Sequence, residues 1–193
     1  MTKNRSHGNI NLELEDFLSK VAENGMGIYS AKIQKTAGGY FFDIQLDRFD
    51  NEYGSVSIDE CEKYSRDVVE LIDSTVRDGG EYRALLPEQL TEENYTLQVS
   101  SAGAERRLKI PEDLDRFKSK PLRLRYEFED KRDQILVLYE GFRDVEEIRY
   151  YKFNIYVPKS KKAMKRKAKS QETLDNIELR LEQIKEIKLY LEF

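Results

Sequence analysis

A single histidine and a single cysteine limit the chemistry open to this chain of 193 residues. His7 lies in a polar N-terminal stretch expected to fray, a poor seat for a general base. Cys61 falls on the inward stripe of an expected helix, where a thiol packs as a small, inert hydrophobe. One Cys and one His cannot assemble a Cys/His zinc site, and one Cys cannot close an intramolecular disulfide. No phosphate loop, dinucleotide fingerprint or nucleophile elbow occurs. Carboxylates are abundant, but no spacing singles out an acid/base pair. The expectation is therefore no catalytic residue, no metal and no cofactor.

The distinctive residues are cations and hydroxyls. Lys159, Lys161, Lys162, Lys165, Arg166, Lys167 and Lys169 fall within eleven residues that contain no acid. Such a run gains affinity for nucleic acid by displacing condensed counterions from phosphates; the plainer reading is a solvated loop. Ser100-Ser101-Ala102-Gly103 followed by Arg106-Arg107 offers hydroxyls, backbone amides and two planar guanidinium forks suited to phosphate or carboxylate. The same hydroxyls equally serve to cap a turn, and Arg106 equally serves as an interdomain salt bridge. Arg66 is a further binding candidate, or an exposed charge, or the intrahelical partner of Glu62 or Glu70.

The elements that position these groups follow from apolar spacing. Ile10, Leu14, Phe17 and Val21 make one helical stripe, which Asn24-Gly25 can close. Tyr29, Ala31 and Ile33 alternate with polar residues as a strand. The Thr36-Ala37-Gly38-Gly39 turn then returns a strand with Tyr40, Phe42, Ile44 and Leu46 on one face. Ser57 or Asp59 can cap a second helix, with Cys61, Tyr64, Val68, Leu71 and Thr75 inward and Asp78-Gly79-Gly80 ending it. Tyr95, Leu97 and Val99 mark a third strand. Two helices on one face of a three-stranded sheet satisfy these patterns most economically.

After the punctuation at Gly103 to Pro111, Leu114 and Phe117 are expected to point inward from a short turn. Alternation resumes at Leu122–Phe128, Ile135–Tyr139, Tyr151–Val157, Ile177–Leu181 and Ile187–Leu191, with turns over 130–133 and 144–147 and a separator at Gly141. Short strands so close together suggest a closed or nearly closed β-barrel, with an open sheet as the alternative. The basic loop, 158–173, interrupts it. The expected division is 1–108 and 109–193.

Charge divides the chain the same way. Residues 1–108 carry 12 Lys+Arg against 20 Asp+Glu, a net of −8, whereas residues 109–193 carry 21 against 17, a net of +4. This suggests two domains with different partners, or uneven solvated surfaces. Hydrophobic residues are 39% of the chain and 21 are Phe or Tyr (9 + 12), enough to seed packed cores. The longest apolar run, 135–139, is far short of the about 20 residues a membrane helix needs, and the start has no apolar signal region. A soluble cytosolic protein is expected.

The segment Tyr95 to Leu108, Y-T-L-Q-V-S-S-A-G-A-E-R-R-L, resembles the V-S-S-P-G-x-[DE]-R-P-L turn of the ribosome maturation factor RimP family. Ser57-Ile58-Asp59-Glu60-Cys61 with Ser65-Arg66 is similar to that family's S-L-[DE]-[DE]-C-x-x-x-S-R helix start. Gly27 and the closing Glu182-Gln183-Ile184-Lys185 segment fit as well, so the likeness runs over about 10–158 and 174–193. Two positions depart: Ala102 and Arg107 stand where the family has proline, and the basic stretch is not part of the pattern.

The resemblance implies an α+β chain, an αββαβ domain joined to an SH3-like (Sm-like) barrel. It implies a non-enzymatic, cytoplasmic, monomeric factor that binds the free small ribosomal subunit. There it would meet rRNA and the ribosomal protein beside the decoding centre, and assist late assembly. A general RNA-binding module with a protein-docking first domain is the alternative, and a protein-only adaptor a third reading.

Overall fold

In the computed structural model, residues 7–103, 106–128, 131–158 and 176–191 are described. Contacts divide the chain into two compact units, 1–103 and 104–193. The elements are of the α+β class: two helices with a three-stranded sheet, then a five-stranded antiparallel sheet.

The first unit runs α1 (His7–Ser19), β1 (Met26–Thr36), β2 (Gly39–Arg48), α2 (Ile58–Asp78) and β3 (Tyr95–Ser101). The α1 helix begins three residues earlier than the apolar stripe suggests, so the backbone of His7 is helical. Leu14, Phe17 and Leu18 of α1 meet Tyr64, Val68 and Ile72 of α2 and Phe42, Ile44 and Leu46 of β2 in one core. The Tyr64 hydroxyl donates to the Leu18 carbonyl at 3.0 Å, tying the helices together. A capping box starts α2: Ser57 Oγ accepts from Glu60 N–H while the Glu60 carboxylate accepts from Ser57 N–H. Asp59 lies inside the first turn and is not the cap.

The sheet has the order β1-β2-β3, with β1 antiparallel and β3 parallel to the central β2. Strict alternation through β1 fails at Tyr29. Ile28 opposes Leu46 and Ser30 opposes Gln45, so Tyr29 is the extra residue of a bulge. The bulge resets the phase, and Ile28 packs on the core with Ala31 and Ile33 where Tyr29 was expected. At the β1–β2 turn, Gly39 has φ +137°, and a Cβ there would stand 1.8 Å from the Asn94 carbonyl oxygen. That carbonyl accepts the Tyr40 N–H at 2.8 Å, which brings the start of β3 against β2.

The second unit contains β4 (Leu122–Phe128), β5 (Lys131–Val145), β6 (Ile148–Ile155), β7 (Asn176–Arg180) and β8 (Ile184–Leu189), paired β7-β6-β5-β4-β8. Its core collects Leu114 and Phe117 from the turn after Pro111 with Leu122, Leu124, Val137, Phe153, Leu179, Ile187 and Leu189. Between β7 and β8 a 3-10 turn, Leu181–Gln183, joins the ends of the pairing order, and no β7–β8 ladder occurs among the described residues.

Two expected breaks are absorbed into β5. Lys131 already pairs with Phe128, so the turn is shorter than 130–133. Gly141 does not separate strands: its φ of +143° forms a bulge between Tyr139 and Gly141, and the strand continues to Val145. The β5–β6 hairpin closes on Glu146 and Glu147, both with positive φ (48° and 67°), the conformation of a two-residue turn matched to strand twist. The strand β8 starts at Ile184 and ends at Leu189, short of Leu191.

Candidate functional site

Parallel pairing of β3 with β2 sets Ser100 beside Gln45 and Ser101 beside Leu46. Ser101 Oγ accepts the N–H of Val56, which leads into α2, at 3.2 Å, and that of Gly103 at 3.4 Å. The Ser101 hydroxyl therefore stitches the end of β3 to the start of α2 and caps the turn. Gly103 adopts φ +80° with open space where a Cβ would sit, so its requirement is conformational, not steric. Ala102, which replaces the proline of the resembling motif, donates its N–H to the Leu46 carbonyl at 2.8 Å. Proline has no such proton, so restraint lost from the ring is returned as a hydrogen bond.

The two arginines part company. Arg106 is buried, 4% exposed, with its guanidinium 4.7 Å from the centre of the Phe117 ring. Arg107 is exposed and forms a bridge with Lys188 on β8, flanked by Leu108 N–H to Ile187 O at 2.8 Å and Leu189 N–H to Arg106 O at 3.1 Å. Neither bond uses the Arg107 amide. Ser100, Ser101 and Gly103 lie in the first unit, and Arg106 and Arg107 in the second.

Arg66 is exposed on α2 and pairs with Glu62 one turn earlier at 2.9 Å, the intrahelical partner expected of it. The cations at 159, 161, 162, 165, 166, 167 and 169 lie outside the described residues.

Cys61 is half-buried, more open than a core thiol, beside Phe41, Leu97 and Val99. Burial, and then the Glu60 carboxylate, push its pKa up, away from the reactive thiolate. Among the described residues no cluster of His, Cys, Asp and Glu could hold a metal, and no helix is long and apolar enough to cross a membrane.

Residues not singled out by sequence join Arg107. The inward alternation Leu122-x-Leu124 and Ile187-x-Leu189 leaves Arg123, Arg125, Glu186 and Lys188 on the outer face of the sheet, with Arg123 directly opposite Lys188. The signal was present in the polar half of the alternation.

A family model described as the RimP N-terminal domain matches residues 18–105, which include the Ser57–Arg66 segment and the 95–108 segment as far as residue 105. The ribosome maturation factor RimP of Leptospira interrogans serovar copenhageni is 34% identical over 164 residues, 84% of this chain and 88% of the relative. This chain belongs to the RimP family. The factor of serovar Lai matches over the same extent, and that of Leptospira biflexa is 34% identical over 104 residues, 54% of this chain and 56% of its own. The family model ends at 105, so Arg107 and the outer face of the second sheet lie beyond it.

Proposed function

We propose that this chain is a ribosome maturation factor that binds the free small ribosomal subunit and assists its late assembly in the cytoplasm, without catalysing a reaction. The carrying observation is the 34% identity over 88% of a relative named as such a factor. The charge division supports a split of labour. The first domain, net −8, repels rRNA and attracts a basic ribosomal protein such as the one beside the decoding centre. The second, net +4 and carrying the lysine-rich segment 159–169, favours RNA.

The functional division we adopt is 1–108 and 109–193, with the monomer as the working unit. We read the second domain as an SH3-like barrel. Support comes from five short strands, the order β7-β6-β5-β4-β8 and the single 3-10 turn linking its two edge strands. The Ser100–Gly103 turn, Arg66, Arg106 and Arg107 are the residues we assign to subunit binding, with Ser101 acting by holding the turn in shape and Arg106 by packing on Phe117 within the second unit.

Sedimentation of the tagged full chain tests the proposal. It should travel with free small subunits and not with joined ribosomes, and a strain without it should accumulate small-subunit precursors. Equal retention by bulk RNA and by subunits would instead favour the general RNA-binding module that the basic second domain also permits. Absence from both fractions would refute the proposal.

A further inference from the structure

The two edges of the first sheet are protected very differently. At one edge, β1 is broken by the Tyr29 bulge and carries Lys32 and Lys35, devices that discourage pairing with a further strand. At the other edge, β3 has neither. Its sequence, Tyr-Thr-Leu-Gln-Val-Ser-Ser, contains no charge and no proline, and its register against β2 runs without interruption. Folding of the chain alone gives no reason to leave such an edge bare, because it invites any extended chain to pair with it.

The two ends of the β2–β3 ladder fix the direction of the β3 backbone groups. Tyr40 N–H reaches the Asn94 carbonyl at 2.8 Å, and Ala102 N–H reaches the Leu46 carbonyl at 2.8 Å. Alternate residues of a parallel strand bond to the same neighbour, so Thr96, Gln98 and Ser100 face β2. Leu97 and Val99 therefore turn both N–H and C=O to the outer edge. Among the described residues neither makes a backbone hydrogen bond to any other element.

A groove of about 490 Å³ runs along this edge. Its lining joins Ile58, Cys61 and Glu62 of α2 to Phe41, Leu97 and Val99 of the sheet. Leu97 and Val99 pack on the core yet stay half-buried, because no strand lies beside them among the described residues. Ile58 is 85% exposed, the most exposed large hydrophobic residue among those described. Four main-chain groups beside an apolar wall match an added strand that places an alternate apolar side chain against α2. The sign of its charge follows from the full count over 1–108, 20 acids against 12 bases.

We infer that the outer edge of β3, with the Ile58–Cys61 wall of α2, is a docking groove that takes an extended basic protein segment as a fourth strand. This deepens the ribosome-maturation reading and rests on it only in expecting that segment to belong to a ribosomal protein. Main-chain bonds to Leu97 and Val99 give the register, and the groove beside Ile58 selects an apolar residue at every second position. The site lies wholly within the first unit and uses no residue of the 100–107 turn.

The test uses the full chain, labelled with nitrogen-15, and a blocked seven-residue peptide alternating Val and Lys as the probe. Amide hydrogen exchange is read residue by residue. With the peptide at ten times its Kd, exchange at the Leu97 and Val99 amides should slow about tenfold. Gln98, already bonded to β2, serves as the internal reference.

Val99→Pro removes one outward donor while sparing the bonds to β2, and peptide binding should weaken at least about tenfold. Ile58→Ser, at an exposed position, should weaken it by about tenfold and keeps the inference testable if the proline variant folds poorly. The same peptide with Glu in place of Lys should bind about tenfold more weakly or worse. Unchanged exchange at Leu97 and Val99 in the presence of the Lys peptide overturns the inference. So does equal affinity of Ile58→Ser and the unmodified chain, equal affinity for the Glu peptide, or protection that rises with protein concentration alone, which would make a second copy the occupant. Subunit sedimentation is read separately: a chain that binds the peptide but sediments alone refutes the ribosome reading and leaves the groove, whereas a chain that travels with subunits and ignores the peptide does the reverse.

Discussion

Replacing Ser101 with alanine removes one acceptor from two amides, and the two losses differ in consequence. Gly103 is exposed, so water replaces the hydroxyl at little cost. Val56 is buried at 8% exposure, and its N–H would be left with poor access to water. An unsatisfied buried donor costs about 1–3 kcal/mol, and the 3.2 Å length of this bond puts the expectation near the middle, about 1–2 kcal/mol. For a unit of this size each kcal/mol moves the melting temperature by about 4–8 °C, so a fall of roughly 5–15 °C is expected. Calorimetry of the full chain reads it, in the transition that Ser57→Ala also lowers. Ser101→Thr, which keeps the hydroxyl, should recover most of the loss. A Ser101→Ala protein that melts within about 1 °C of the unmodified chain would refute the stitching role and leave the hydroxyl free for a partner.

The Glu60 carboxylate is held below its ordinary pKa of 4.5, first by the Ser57 backbone N–H, then by the Ser57 hydroxyl, with a smaller contribution from Arg48. A lowered folded-state pKa means that its stabilisation is present above the ordinary value and is lost as pH falls through the lowered one. Glu60→Gln should lower the melting temperature at neutral pH and leave it little changed at pH values below the lowered pKa, so the acid limb of a melting-temperature profile flattens. Gly39→Ala should destabilise the first unit by more than about 3 kcal/mol, because φ +137° and the Asn94 carbonyl at 1.8 Å both oppose a methyl group; a fall in urea midpoint checks it. Glu147→Gly should stabilise the second unit by about 1 kcal/mol, since its φ of 67° is costly for any side chain, and an unchanged midpoint would count against that turn geometry.

Much of the architecture was legible because burial imposes a period. Tyr64, Val68 and Thr75 lie inward as their spacing requires, and Leu122, Leu124, Ile187 and Leu189 follow strand alternation to near-complete burial. The capping box was visible as Ser57 followed three residues later by Glu60. The bulges were not. Tyr29 and Gly141 each shift a register that local pattern treats as uniform, because a bulge is decided by the partner strand. The candidate site divides in the same way. Ser101 and Arg66 could be read as local groups with local partners, and the structure supplies Gly103 and Glu62, whereas the Val56 N–H comes to Ser101 from 45 residues away. Arg106 and Arg107 are chemically identical neighbours in sequence, yet alternation along the bridge to β8 buries one against Phe117 and exposes the other beside Lys188.

The amino-acid order alone determined which residues seek the interior, where α2 begins, and that the cations outnumber the acids after residue 108. It also carried the family, through two motifs at fixed spacing. Tertiary structure decided which charges become neighbours. Arg107, Arg123 and Lys188 are separated by 16 and 65 positions along the chain, and only the β4–β8 ladder and the bridge at 107 bring them into one row. Strand pairing depends on backbone hydrogen bonds and complementary burial between distant segments, and these interactions exist only once the sheet has formed.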